Sequence, residues 1–328
     1  MFDLGSHELG APVGEPVVFV DLDQAAPDAD LQVPDGWPCV VIATSASSPP
    51  PLAPVGPDVF LSAAADPPRP WVGVADLEEA TQLLEGAIRR SPQAATTLAQ
   101  VLRVSSALKP AAALVVESLA YSTLQAGTEH QHWLAARRPR TPDGRTDAAA
   151  RVERAGDVLR IILDRPERRN AYSARMRDEL VAALQLAAAD VTLASVHLLG
   201  RGPDFCSGGD LAEFGTRADP ATAHGIRTLR SAGWWISQLA PRVTAHLHGT
   251  CVGAGIELAA FAGTVEAAAD THVILPEVSM GLIPGAGGTA SIPPRIGSAR
   301  TAWLGLTGTS LDATTARRWG LIDRLLPS

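Results

Sequence analysis

The stretch Gly249-Thr250-Cys251-Val252-Gly253-Ala254-Gly255-Ile256-Glu257 decides how this sequence is read. It follows a strand-like run, Val243-Thr244-Ala245-His246-Leu247, and leads into an apolar helical run, Leu258-Ala259-Ala260-Phe261-Ala262. Small residues between a strand and a helix let backbone N–H groups approach a ligand closely. The start of a helix also favours negative charge there. A second loop of this kind, Phe205-Cys206-Ser207-Gly208-Gly209-Asp210, follows the strand-like Ser195-Val196-His197-Leu198-Leu199-Gly200. Two backbone donors, one from each loop, suit stabilisation of an oxyanion. Taken alone, the glycines fit plain tight turns equally well. They are not nucleotide signatures: Gly253-Ala254-Gly255 lacks the third glycine of a dinucleotide turn, and Gly285-Ala286-Gly287-Gly288-Thr289 lacks the Lys-Ser/Thr of a P-loop.

Two acids stand beside these loops. Glu257 lies just inside an otherwise apolar helix, and Glu277 follows Val273-Ile274-Leu275 and Pro276. Carboxylates in such company are costly unless paired, neutralised or used. Singly, Glu257 also suits a helix-dipole partner and Glu277 an exposed loop acid. His246 and His248 flank the turn and read as packed or surface residues.

Outward from this centre, strand and helix alternate. Residues 158–163 read as a strand, Ser173 as the cap of a helix through Met176, Leu180 and Leu184, and the region after Asp210 as one long helix to about Leu239. That alternation indicates an α/β fold. Residues 137–145 are charged and rich in breakers, marking a linker over 140–150. Before it, residues 1–75 hold strand-like runs at 17–20 and 40–43 with a loop over 47–54, and residues 76–139 read as helices over 76–90, 92–108 and 111–134.

Composition narrows the class. The 328 residues are 46% hydrophobic and 19% charged, which argues for a globular chain. A formal charge of −8 opposes a nucleic-acid footprint. Cys39, Cys206 and Cys251 are too scattered for a disulfide framework or a zinc site, so no metal is expected. Met1-Phe2-Asp3-Leu4 opens no basic, then apolar leader, and apolar runs such as 111–116 fall short of the ~20 residues that span a bilayer. No membrane association and a cytoplasmic setting are the expectations.

Five blocks in order resemble the crotonase superfamily, the enoyl-CoA hydratase/isomerase family. They are Leu163-Asp164-Arg165-Pro166 with Asn170-Ala171, then 205–211, then 248–257, then Leu275-Pro276-Glu277, then Gly281-Leu282-Ile283-Pro284 running into 285–289. The tail Gly320-Leu321-Ile322-Asp323 also fits, so the resemblance spans about 152–326. It implies an α/β fold with a spiral ββα crotonase core over 151–328. It implies that an acyl-CoA thioester carbonyl sits between the N–H groups of Gly209 and Ala254. Hydratases carry glutamates at the positions of Glu257 and Glu277; Glu257 would activate water and Glu277 would protonate C2, adding water across the C2–C3 double bond. Arg168, Ala171, Ser207, Gly208, Asp210, Leu211, Gly253 and Gly285 are the implied substrate-binding positions, with coenzyme A present only as part of the substrate and no separate cofactor. Isomerisation, more specialised aryl- or dicarboxyl-CoA chemistry, and a non-catalytic acyl-CoA-binding subunit are the alternatives.

Two departures stand out. Where many hydratases have a lysine that contacts the CoA phosphate, this sequence has Ala212. Arg168 or Arg169 could take that part, or form a solvated surface pair. The family also continues past the Gly-Leu-Ile-Asp region with helices that complete the pocket and a trimer or hexamer. Residues 76–139 resemble those helices, so the expectation is a degenerate crotonase-like region at 1–75, its helices at 76–139, and a homo-oligomer.

Overall fold

The computed structural model describes residues 14–24, 32–46, 56–138, 141, 147–216 and 219–327. The opening four residues, the loop expected at 47–54 and most of the 140–150 linker lie outside the described residues. Four short strands come first: β1 (Val17–Asp21), β2 (Val40–Ser45), β3 (Val59–Ser62) and β4 (Val72–Gly73). They form an all-parallel sheet in chain order. Helices α1 (Leu77–Arg90), α2 (Pro92–Ser105), α3 (Pro110–Ala126) and α4 (Thr128–Ala136) follow. Asp76 caps α1 by accepting from Glu79 N at 3.0 Å, and Pro92 and Pro110 open α2 and α3, where no N–H is needed.

The single helix expected over 111–134 is two. Gly127 leaves helical geometry (φ −73°, ψ 156°) and separates α3 from α4. Glycine is a poor helix former, and a Cβ here would come within 3.1 Å of Gln93 Oε1.

The second half holds β5 (Ala150–Ala155), β6 (Val158–Leu163), α5 (Ala174–Ala189) and β7 (Ser195–Gly200). Next come α6 (Pro220–Leu229), α7 (Ala232–Leu239), β8 (Val243–Leu247), β9 (Thr250–Val252) and α8 (Ala254–Ala259). The long helix expected to Leu239 is also two, because Ser231 caps a new one through Trp234 N at 3.1 Å. The remainder is β10 (Thr264–Ala267), β11 (His272–Ile274), α9 (Gly288–Ser291), α10 (Pro293–Ile296), α11 (Ser298–Thr307), β12 (Leu311–Asp312), α12 (Ala313–Trp319) and β13 (Arg324–Leu325).

A six-stranded sheet runs β13-β10-β8-β7-β6-β5, parallel except for the β5–β6 pair, and a three-stranded sheet runs β12-β11-β9. Burial alternates along β8: Val243, Ala245 and Leu247 face the core while Thr244 and His246 face outward. The glycine loops and Glu277 leave the C-terminal ends of β7, β9 and β11, where ligands gather in α/β sheets.

The two halves share one core. Ile42, Leu61, Leu84 and Leu98 join Ile256, Ile283 and Leu304 in a single buried cluster. Each such side chain contributes on the order of 1.5–3 kcal/mol by leaving water. Arg300 crosses the boundary to the carbonyls of Trp71 (3.0 Å) and Pro67 (3.1 Å). Helix α3 packs against α6 and α9, so the helices at 76–139 lie over the second half of the same chain.

Candidate active site

Gly253 ends β9 at φ 46° and begins α8, which puts Glu257 in that helix's first turn, 2% exposed. Glu257 Oε2 accepts from the N–H groups of Ala286 (2.7 Å) and Gly288 (2.9 Å). Burial pushes this carboxyl up to about 7, with the surrounding N–H groups holding it down. A base whose pKa lies near the working pH is effective in proton transfer.

Glu277 opens the one-turn helix Glu277–Met280 after β11. Its Oε2 is shut off from solvent without a hydrogen-bond partner among the described residues. Burial, and then the Glu257 charge, push this carboxyl well above the usual range, which favours its protonated form. The two carboxyl groups meet over Gly253. A Cβ there would lie 3.6 Å from Glu257 Oε1 and under 3.0 Å from Glu277 Oε1, so no side chain fits beneath them.

The glycine loops come together through backbone. Cys206 and Cys251 form a parallel bridge, Val252 N donates to Cys206 O at 3.0 Å, and a Cβ on Gly208 would be 3.2 Å from Val252 O. Among the described residues, the N–H groups of Gly209 and Ala254 have no acceptor. Both residues line a cavity of about 530 Å³ with Glu257, Glu277 and Gly285. Two free donors and two carboxyl groups of raised pKa around one cavity can stabilise an enolate and move protons beside it.

The model of the enoyl-CoA hydratase/isomerase family matches residues 153–328, more than half of the chain. The chain belongs to the enoyl-CoA hydratase/isomerase family. An enoyl-CoA isomerase/hydratase of Mycosarcoma maydis is 37% identical over 180 residues, which is 52% of this chain and 65% of that protein. The chain thus spans about two thirds of the length of that curated relative. The solved enoyl-CoA hydratase of Thermoplasma volcanium GSS1 superposes with a TM-score of 0.52 at 31% identity, covering 56% of this chain and 73% of that one. A protein from Thermobifida fusca YX, solved in complex with acetoacetyl-CoA, superposes with a TM-score of 0.50 at 28% identity, covering 54% and 73%. The crotonase fold expected from the motifs is present over this stretch.

The other family positions sort by what their atoms touch. Asp210 is engaged inside the protein: Oδ2 accepts from Arg165 at 3.0 Å and Oδ1 from Ala212 N at 3.1 Å. It shapes the loop that presents Gly209. Ala171 O accepts from Arg165 Nη1 (2.9 Å), and Leu211 O from Arg137. Ser207 N donates to Arg169 O at 2.9 Å, tying the glycine loop to the Arg168–Arg169 turn. Arg169 is paired with Asp204 at 2.6 Å, and Arg168 donates to Thr141 O at 3.2 Å. Ala212, at the lysine position, is buried. His246 faces away, within 2.7 Å of His197, and His248 binds Gly202 O at 3.0 Å.

The five family blocks leave out the cavity's outer wall. Tyr121 and Gln125 of α3 and Ile226 and Arg227 of α6 form it, with Tyr172 and Phe214. The Arg227 guanidinium lies 4.5 Å over the Tyr121 ring. Glu117, also on α3, is 2% exposed and binds the turn that holds Glu257. One signal was visible: an acid one residue past an apolar run at 111–116, four before a tyrosine on the same helix face.

Proposed function

We propose that this chain is an enoyl-CoA hydratase-like lyase that adds water across the C2–C3 double bond of an acyl-CoA thioester. The observation that carries the reading is the pair of carboxyl groups meeting over Gly253, opposite the free N–H groups of Gly209 and Ala254. The thioester oxygen accepts from those two N–H groups and holds the enolate charge. Glu257, the more acidic of the pair, takes the proton from water attacking C3. Glu277, kept protonated by its surroundings, delivers a proton to C2. The N–H of Gly285 lies close enough to Glu257 to help hold it. Because the enolate charge is met by backbone donors, the reading calls for no metal or redox group.

The test is direct. Purified protein mixed with crotonyl-CoA should bleach the conjugated thioester absorbance, and Glu257→Gln and Glu277→Gln should each lower kcat by about 10²-fold or more. If only Glu277→Gln abolishes turnover of a 3-enoyl-CoA while crotonyl-CoA is untouched, the activity is double-bond isomerisation. An inert protein that still binds CoA thioesters is the non-catalytic subunit instead. The homotrimer or hexamer expected from the family is read by light scattering. The all-parallel sheet followed by four helices supports reading residues 1–139 as a degenerate crotonase-like region.

A further inference from the structure

The turn 285–289 is gripped by two carboxyl groups from opposite sides. Ala286 and Gly288 donate to Glu257 Oε2, while Gly287 and Thr289 donate to Glu117 Oε1 (2.7 Å) and Oε2 (2.8 Å). Thr289 Oγ1 adds a 2.7 Å bond to Glu117 Oε2. Successive N–H groups therefore alternate between the two acids. The Thr289 N–H has no other acceptor among the described residues, while the Gly287 N–H, bonded to Glu117, also faces Glu257. Burying a carboxyl is costly, and three donors converging on it are what make the position tenable.

Helix α3 grips the near end of the same turn as well. Tyr121 lies one helical turn beyond Glu117, and its ring packs on Gly285, where a Cβ would meet Cγ at 3.2 Å. Both residues lie outside the stretch 153–328 matched by the family.

We propose that Glu117 is a positioning residue for catalysis: it fixes the far side of the turn whose near side holds Glu257, so that α3 sets where Glu257 presents its carboxylate. This rests on Glu257 being the group that activates water in the hydration reading. Helix α3 is then part of the catalytic apparatus, beyond covering the pocket.

The test compares wild type, Glu117→Gln and Thr289→Val on crotonyl-CoA, with amide exchange across 285–291 followed by mass spectrometry. Glutamine keeps the length of Glu117 but turns an NH2 toward an N–H donor, so at least one contact is lost. The folded Glu117→Gln enzyme should show faster exchange across 285–291, with kcat reduced ~10- to 100-fold and KM changed by less than about threefold. Thr289→Val, which removes only the hydroxyl contact, should lower kcat by about two- to fivefold. A folded Glu117→Gln that keeps wild-type kcat, or loses activity with no change in exchange, overturns the proposal. If wild type leaves crotonyl-CoA untouched, the hydration reading falls instead. Exchange then decides whether Glu117 holds the turn, and an unchanged rate in Glu117→Gln overturns it.

Discussion

Replacing Gly253 by alanine strikes the point where the two carboxyl groups meet. The added methyl would sit under 3.0 Å from Glu277 Oε1, where ordinary contact begins at 3.4 Å. The residue also has φ 46° and ψ −119°, a conformation that L side chains rarely adopt and that costs about 1–2 kcal/mol. Relieving the overlap adds roughly 1–3 kcal/mol, for a total near ~2–5 kcal/mol. At about 2 °C per kcal/mol for a chain of this size, the melting temperature should fall by roughly 4–10 °C. The catalytic loss should be larger than that suggests. Either the Glu277 carboxyl retreats by a good part of an ångström, or the turn shifts and carries the Ala254 N–H with it. A misplacement of about 1 Å at a reacting centre costs on the order of 10²-fold. The assay is crotonyl-CoA hydration well below the variant's melting temperature, with circular dichroism to confirm the fold. We expect kcat down by about 10²-fold and KM changed far less. A folded Gly253→Ala enzyme with kcat within about threefold of wild type would refute the argument that this glycine places the acids.

Three further outcomes follow from the same geometry. Glu117 is pushed up to about 8 by burial and then by Glu257, Glu257 up to about 7 by burial, and Glu277 well above the usual range. Folded-state values above the unfolded ~4.3 mean that the native form binds more protons, so stability present below that pH is lost as pH rises through 7–8. Melting curves from pH 5 to 8.5 should show the decline, and Glu277→Gln should flatten it; identical slopes in both proteins would contradict this. Asp210→Asn removes the buried carboxylate that accepts from Arg165 Nη2 at 3.0 Å and should cost about 1.5–3 kcal/mol by denaturant unfolding. It should lower kcat as well, because Gly209 is the adjacent residue. Asp58→Ala leaves the Arg103 guanidinium with backbone carbonyls such as Trp37 O and Cys39 O but without the counter-charge 2.6 Å from its Nη2, and should cost about 3–5 kcal/mol. Asp58 does not line the cavity, so kcat of the folded fraction should stay at the wild-type value.

What this sequence determined by itself is the local chemistry. Gly253, Ala254 and Glu257 lie within five residues, and a strand followed by a helix start dictates where their N–H groups and carboxylate point. Glu277 could be named because a strand and a proline deliver it. Helix existence was legible from periodicity, but the breaks at Gly127 and Ser231 were not, because a single glycine or serine inside an apolar pattern is weak evidence for a new helix. Only tertiary structure decided the far wall and the protonation states. Glu117 meets the turn at Gly287 across 170 residues of chain, and no local pattern encodes which buried N–H groups it will satisfy. Nor could composition supply the raised pKa values of the three acids: they arise from exclusion of water and from mutual proximity, which exist only once α3, α8 and the 285–289 turn are packed together.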